Sequence, residues 1–223
     1  VWGAEQRLRD TITKPSSRDK QSRIGPSDLG NSCDYCLGAA MLGHKETKHI
    51  RAAWVGTCIH EWVERHEQNP DILNEQRYKD ILEIPGYGYI SGTSDRYDPY
   101  DKTVIDLKTT SKNRLATLKR ELVILDGEVV DMSAQMLAYY IQLNVYGIGA
   151  EQAGLDVEYV AIYFVVRDSS THRDDYYLPF KYNPKAVEPY VERAARVYQQ
   201  AKEDGLTDLA IDPDCFQCMV AGR

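Results

Sequence analysis

The sequence predicts an α/β fold in which a mixed sheet lies between layers of helices. Three observations carry this. Residues 157–166 (VEYVAIYFVV) are almost continuously apolar, as in a strand covered on both faces. Residues 134–146 have the pattern of a helix, with Asp131 or Ser133 placed to cap it, and they lie between that strand and an earlier group of strands. The whole order reads helix, three strands, helix, strand, strand, helix, which suits a sheet packed by helices rather than a sandwich or a bundle.

Taken in order, residues 1–26 carry many charges and little periodicity up to the Gly25-Pro26 break, and read as an N-terminal extension. Ser27 then looks like the N-cap of a helix running toward Gly43, a segment that contains Cys33 and Cys36. A longer helix is predicted over 50–68. Its apolar stripe is Trp54, Val55, Cys58, Ile59, Trp62 and Val63, which puts Cys58 in the core, while Gly56, His60 and Glu64 form another stripe four residues apart. Asn69-Pro70 ends this helix. Strands follow at 80–84, 89–97 and 103–109, with turns at 85–88 and 98–101. Residues 113–125 read as helical, with a loop at Asp126-Gly127. The helix over 134–146 is expected to stop at Gly147 and Gly149. After the apolar strand come a strand at 175–182 and a helix that Pro184 opens and that runs to about 204. No internal repeat, low-complexity tract or flexible linker interrupts this order, so 27–223 is read as a single domain.

Composition narrows the class further. The 223 residues are 43% hydrophobic and 27% charged, enough for a sizeable core. No apolar run has the length of a bilayer span and no secretory pattern opens the chain, so the expected location is the cytoplasm, without membrane attachment. The net charge of −7 argues against binding nucleic acid by bulk electrostatics but leaves room for a local basic groove. Arg18, Lys20 and Arg23 form one basic group; Lys112, Arg114, Lys119 and Arg120 form another. Among the 16 tyrosines, the pairs Tyr139-Tyr140 and Tyr176-Tyr177 could stack on bases, although packing at sheet–helix interfaces explains most of them.

Residues 92–111 (GTSDRYDPYDKTVIDLKTTS) are the chemically suggestive stretch. They read as a hairpin that brings Asp95 toward Asp106. Alternation along the second strand puts Val104, Asp106 and Lys108 on one side and Ile105 and Leu107 on the other. Two carboxylates beside a lysine suit a hard divalent cation such as magnesium or manganese, which polarises a phosphate and acidifies bound water. An acid and a lysine two residues apart also occur by chance, as at Glu46 and Lys48, so the pattern draws its weight from its surroundings.

Those surroundings carry a resemblance. His60 on a helix, then Gly92-Thr93-Ser94-Asp95, then Asp106-Leu107-Lys108, then Gln135-Met136-Leu137-Ala138-Tyr139 stand in an order that resembles the PD-(D/E)XK nuclease superfamily. More narrowly it is similar to the RecB-like exonuclease branch, with the RecB and AddB nuclease domains and the CRISPR-associated adaptation nucleases. The resemblance covers about residues 27–218 and implies a restriction-endonuclease-like core. It implies that Asp95, Asp106, His60 and the Leu107 carbonyl hold Mg2+ or Mn2+, and that Lys108 orients the attacking water or stabilises transition-state charge. Gln135 and Tyr139 would brace that site and the incoming DNA strand, and Glu64 could join it from one turn beyond His60. The implied activity is DNA hydrolysis, as an exonuclease on ends or single strands. A structure-specific endonuclease of the same fold is the alternative, as is a non-catalytic nucleic-acid-binding subunit with a zinc site. A protein partner or homo-oligomer stays open.

The cysteines give a second signal. Cys33/Cys36 and Cys215/Cys218 are two C-x-x-C pairs near opposite ends of the sequence, a spacing that lets each pair chelate one ion or one cluster edge. In a cytosolic setting metal is favoured over disulfides. The resemblance favours a [4Fe–4S] cluster, although relatives that carry one usually place one ligand before the nuclease core and three after it, whereas here the division is two and two. That division also suits zinc. In either case the expected role is structural, clasping the N-terminal segment to the C-terminal tail.

Overall fold

A computed structural model describes residue 6 and residues 23–44, 51–125 and 128–222. Its centre is a five-stranded mixed sheet built from β1 (Leu73–Ile84), β2 (Gly88–Asp98), β3 (Thr103–Thr110), β6 (Tyr159–Val166) and β7 (Tyr176–Lys181), in that spatial order. β1, β2 and β3 form an antiparallel meander, β3 pairs parallel with β6, and β7 returns antiparallel on β6. A parallel pair needs a crossover. Here it comprises helix α4 (Lys112–Arg120), a small hairpin of β4 (Val123–Leu125) and β5 (Glu128–Asp131), and the long helix α5 (Ala134–Gln152). α5 packs across β1, β3 and β6, and so lies directly over the strand that carries Asp106 and Lys108. The α/β mixed-sheet expectation holds.

The core is continuous between sheet and helices. Val160, Ile162 and Phe164 of β6 are fully buried, together with Ile141, Leu143 and Val145 of α5. Each such side chain contributes about 1.5–3 kcal/mol through its removal from water. No helix among the described residues is long and apolar enough to cross a membrane.

Several elements differ from their sequence expectation, each for a physical reason. The helix expected from Ser27 toward Gly43 is two helices, α1 (Pro26–Leu29), capped by Gly25, and α2 (Asp34–Met41), capped by Cys33. They are separated where Gly30 packs on α5; a Cβ there would sit 2.6 Å from the Ala138 Cα. α3 (Arg51–His66) forms as expected, but with Trp54, Cys58 and Trp62 turned outward, so the expectation of a core Cys58 is corrected. β1 begins seven residues earlier than read, because its first half is polar and half-exposed and a register shift between Tyr78 and Leu82 breaks the alternation. α4 ends at Arg120, Ser133 caps α5, and the loop expected at Asp126-Gly127 lies outside the described residues.

Gly147 and Gly149 do not end α5. A Cβ on Gly147 would meet the Tyr182 ring at 2.4 Å, and one on Gly149 would meet Tyr78 at 2.8 Å. These glycines admit neighbours rather than stop the helix. The last long helix, α6 (Glu188–Glu203), follows a 3-10 turn at Pro184–Val187, and α7 (Phe216–Ala221) follows Cys215.

Candidate active site

The β2–β3 ladder ends at the pair Arg96–Ile105, one step short of Asp95 and Asp106. There the side chain of Asp95 takes over from the backbone: its Oδ2 accepts from the Leu107 N–H at 2.7 Å. Its Oδ1 lies 3.1 Å from Nδ1 of His60, and His60 Nε2 reaches the Leu107 carbonyl oxygen at 3.1 Å. Helix α3 thus delivers its imidazole onto the hairpin at the point where strand pairing lapses. Gly56, one turn before His60, faces Thr109 of β3, and an added Cβ would stand 3.5 Å from the Thr109 Oγ1.

Asp106 and Lys108 both turn toward α5. Lys108 Nζ is 2.8 Å from Asp106 Oδ2 and donates to Gln142 Oε1 at 3.2 Å. Gln142 in turn donates to Asp106 Oδ1 at 2.9 Å, so its amide spans the ion pair from above. Lys108 also lies over the Tyr139 ring, 5.1 Å from its centre. Tyr139 accepts a hydrogen bond from Gln135 at 2.6 Å, and Arg114 of α4 donates to Gln135. The expected Gln135 and Tyr139 therefore form a chain leading from Lys108 to a surface arginine, and Lys112 beside it pairs with Asp174. Lys119 lies over the Tyr176 ring. Glu64 is exposed, and Arg18 and Lys20 lie outside the described residues.

Two contributors escaped the sequence reading. Glu75 of β1 stands between the register pairs Asn74–Arg96 and Gln76–Ser94, which puts it opposite Asp95. Its φ of 49° is unusual for a residue with a Cβ, and its carboxylate lies 3.8 Å from His60 Nδ1. Like charges opposite one another on paired strands repel, so a cation between Glu75 and Asp95 would relieve the pair. Gln142 could have been noticed as a polar residue within the apolar run 137–145, seven positions after Gln135 and on a similar face of the helix.

Electrostatics point the same way. Burial opposes a charge on His60, but Asp95, Glu75 and Asp106 outweigh it and raise its pKa to about 9. The same carboxylates would favour a cation, which would displace that proton because only the neutral imidazole ligates a metal. Burial lifts Asp106 to about 6, with Lys108 pulling the other way and Asp95 adding to the rise. Lys108, whose burial disfavours its charge, is held above the usual lysine range by Asp106.

His60, Glu75 and Asp95 offer donor atoms within 4.8 Å of one another. His60 Nδ1 and Asp106 Oδ2 are buried, and their close polar contacts are the ionic ones to Asp95 and Lys108. Hard oxygen donors plus one imidazole, with two carboxylates facing each other across paired strands, fit a divalent metal ion.

The cysteines also converge. Cys33, Cys36, Cys215 and Cys218 bring their sulfurs within 4.8 Å of one another and join the segment before α3 to the C-terminal helix. Burial, first, raises the Cys218 thiol to about 11, and burial with the neighbouring thiols pushes Cys36 up as well. Burial acts against ionisation of Cys33 too, yet backbone hydrogen bonds at Asp212 and Cys36 hold it below the ordinary thiol range.

The meander, parallel crossover and return strand make a mixed five-stranded α/β sheet flanked by helices, the class of fold expected. Among solved structures, the chain is similar to a protein from Eubacterium rectale described as a "putative exonuclease", with a TM-score of 0.57 and 13% identity over 93% of both chains. It is also similar to a phage-related exonuclease from Haemophilus somnus, with a TM-score of 0.48 and 14% identity over 88% of this chain and 93% of that one. The first likeness establishes shared fold; the second is too slight to argue from. No protein-family model and no curated protein sequence matches the chain.

Proposed function

We propose that this protein is a divalent-cation-dependent deoxyribonuclease, acting as an exonuclease on DNA ends or single strands. One observation carries the reading: His60 contacts Asp95 and the Leu107 carbonyl, and Asp106 and Lys108 pair with each other on either side of Leu107, so a helix and two strands supply these side chains to one stretch of the hairpin, with Asp106 outside the tighter His60, Glu75 and Asp95 group. The similarity of fold to the Eubacterium rectale protein agrees with it.

The cation, Mg2+ or Mn2+, would be held by Asp95, Asp106, His60 and the Leu107 carbonyl, with Glu75 as a further donor, and it supplies Lewis acidity toward a phosphate and a more acidic water. Lys108 is fixed by Asp106, Gln142 and the Tyr139 ring, so its ammonium is aimed without reorganisation at the charge that develops on the phosphate. Gln142 keeps Asp106 and Lys108 in register. The Arg114–Gln135–Tyr139 chain gives a strand of DNA a cationic approach to Lys108, and the α4 lysines and the tyrosines beside them extend it. A local patch of this kind is compatible with a chain of net charge −7.

The test is cleavage of labelled linear and closed circular DNA by the wild type and by Asp106→Ala. Loss of at least ~10³-fold in rate with DNA binding retained is expected, because the variant removes a metal-holding carboxylate while leaving the basic approach. Unchanged cleavage by Asp106→Ala removes the assignment. Mononucleotides or short oligomers from linear DNA, with circles spared, mark an exonuclease; cut circles mark the endonuclease alternative.

A further inference from the structure

The four cysteines do not fit the iron–sulfur expectation. In a [4Fe–4S] cube each thiolate caps a different iron, so the ligand sulfurs are spread across the cluster, about 6 Å apart. Four thiolates around one tetrahedral ion at a bond length of about 2.3 Å stand only about 3.8 Å from one another. Here Cys33 and Cys218 sulfurs are 3.7 Å apart, Cys36 and Cys215 3.5 Å, and Cys36 and Cys218 3.4 Å. The sulfurs surround the volume of a single ion.

The backbone reinforces that geometry. Cys33 is the N-cap of α2 and Cys36 the third residue inside it; Cys215 and Cys218 take the same two positions on α7. Each C-x-x-C pair is therefore folded over one helical turn, a shape that presents two sulfurs to a common point. Two such pairs facing each other close a four-coordinate shell. Cys33, Cys215 and Cys218 are buried, and the shell is locked from outside. Tyr35 N–H donates to the Ala210 carbonyl at 3.0 Å, and Ser32 Oγ donates to the Asp212 carboxylate. Arg193 of α6 donates to the Asn31 and Ser32 carbonyls and pairs with Asp34 at the start of α2. Widening the sulfurs to embrace a cube would require these two chain segments to move apart against those bonds.

We propose that Cys33, Cys36, Cys215 and Cys218 hold one tetrahedral zinc ion, in place of the [4Fe–4S] cluster, and that the site is closed to substrate and purely structural. Zinc suits it because it prefers four thiolates in this arrangement and undergoes no redox change. The inference does not depend on the nuclease reading, and its test reads metal rather than activity.

The experiment is elemental analysis and visible spectroscopy of protein prepared with and without air, so that an oxygen-labile cluster is not lost unseen. About one zinc per chain and no brown chromophore are expected in both preparations, and also in Asp106→Ala, which keeps the count clear of the hydrolytic pocket. Cys33→Ser and Cys218→Ser should bring zinc down to half or less, while Cys58→Ser, altered at an exposed thiol, should keep it. Where the cysteine variants fail to fold, Co2+ added to metal-depleted wild type serves instead: one equivalent should produce the intense visible bands of a tetrahedral thiolate complex. About four irons with matching sulfide in the anaerobic preparation, disulfides among these cysteines, or absence of the cobalt bands would each overturn the proposal.

Discussion

At the proposed hydrolytic pocket the candidate donors are one imidazole and three carboxylates, brought from α3, β1, β2 and β3; at the cysteine site they are four thiols brought from two helix starts of the same design. The first set is uneven. His60 Nδ1 faces both Asp95 and Glu75, and Lys108 stands beside Asp106 with part of its side chain open. The second set is uniform, with three of its four thiols buried. An ion in the first would keep positions free for water and a phosphate, while an ion in the second would have none to spare. On the proposed reading, the chain would separate reactivity from reinforcement, with mixed donors in one place and identical donors in the other.

That contrast can be broken most directly by chelation. EDTA at modest excess should abolish cleavage completely, Mg2+ or Mn2+ should restore it, and elemental analysis should find the thiolate-bound ion still in place after brief treatment. If the two metals leave together, the division into open and closed shells fails. The next largest effect belongs to Lys108→Met, which keeps the stem and removes the ammonium. Single-turnover cleavage should fall by ~10²–10³-fold, as when one preorganised charge is taken from a developing anion, with cation affinity changed far less. Glu75→Gln is the mildest variant. It should raise the cation concentration needed for half-maximal cleavage by ~10-fold while leaving the rate at saturating cation within about threefold, the pattern of a weakened supporting donor. A cation requirement unaltered by Glu75→Gln would exclude Glu75 from the pocket.

How far the sequence could be read follows from the same chemistry. Asp106 and Lys108 were legible because strict alternation puts them on one side of a short, regular strand, and Asp95 because a tight hairpin faces it. The cysteine pairs were legible because a C-x-x-C spacing needs only one local turn. Glu75 was not, since the shift between Tyr78 and Leu82 spoils any count back from the hairpin turn, and the polar start of β1 has no alternation of its own. The stripe on α3 misleads for another reason. Trp54, Cys58 and Trp62 look like a core face by hydrophobicity alone, but the demand of His60 for the sheet sets the helix's rotation and turns them outward. By local propensity Gly147 and Gly149 read as stops, because glycine breaks helices; Tyr182 and Tyr78, far away in sequence, make them contact points.

Cys36 and Cys218 touch although 182 positions separate them. Contacts of such span form slowly, because most of the polymer must already be arranged before the ends can meet. An ion that stayed attached during denaturation would spare the chain that search: as a cross-link over so long a loop it would strip the disordered ensemble of about 5 kcal/mol of entropy, by the reasoning that applies to a disulfide. The sulfur knot would then act on the denatured ensemble as much as on the folded one, setting how readily the molecule returns after being pulled open.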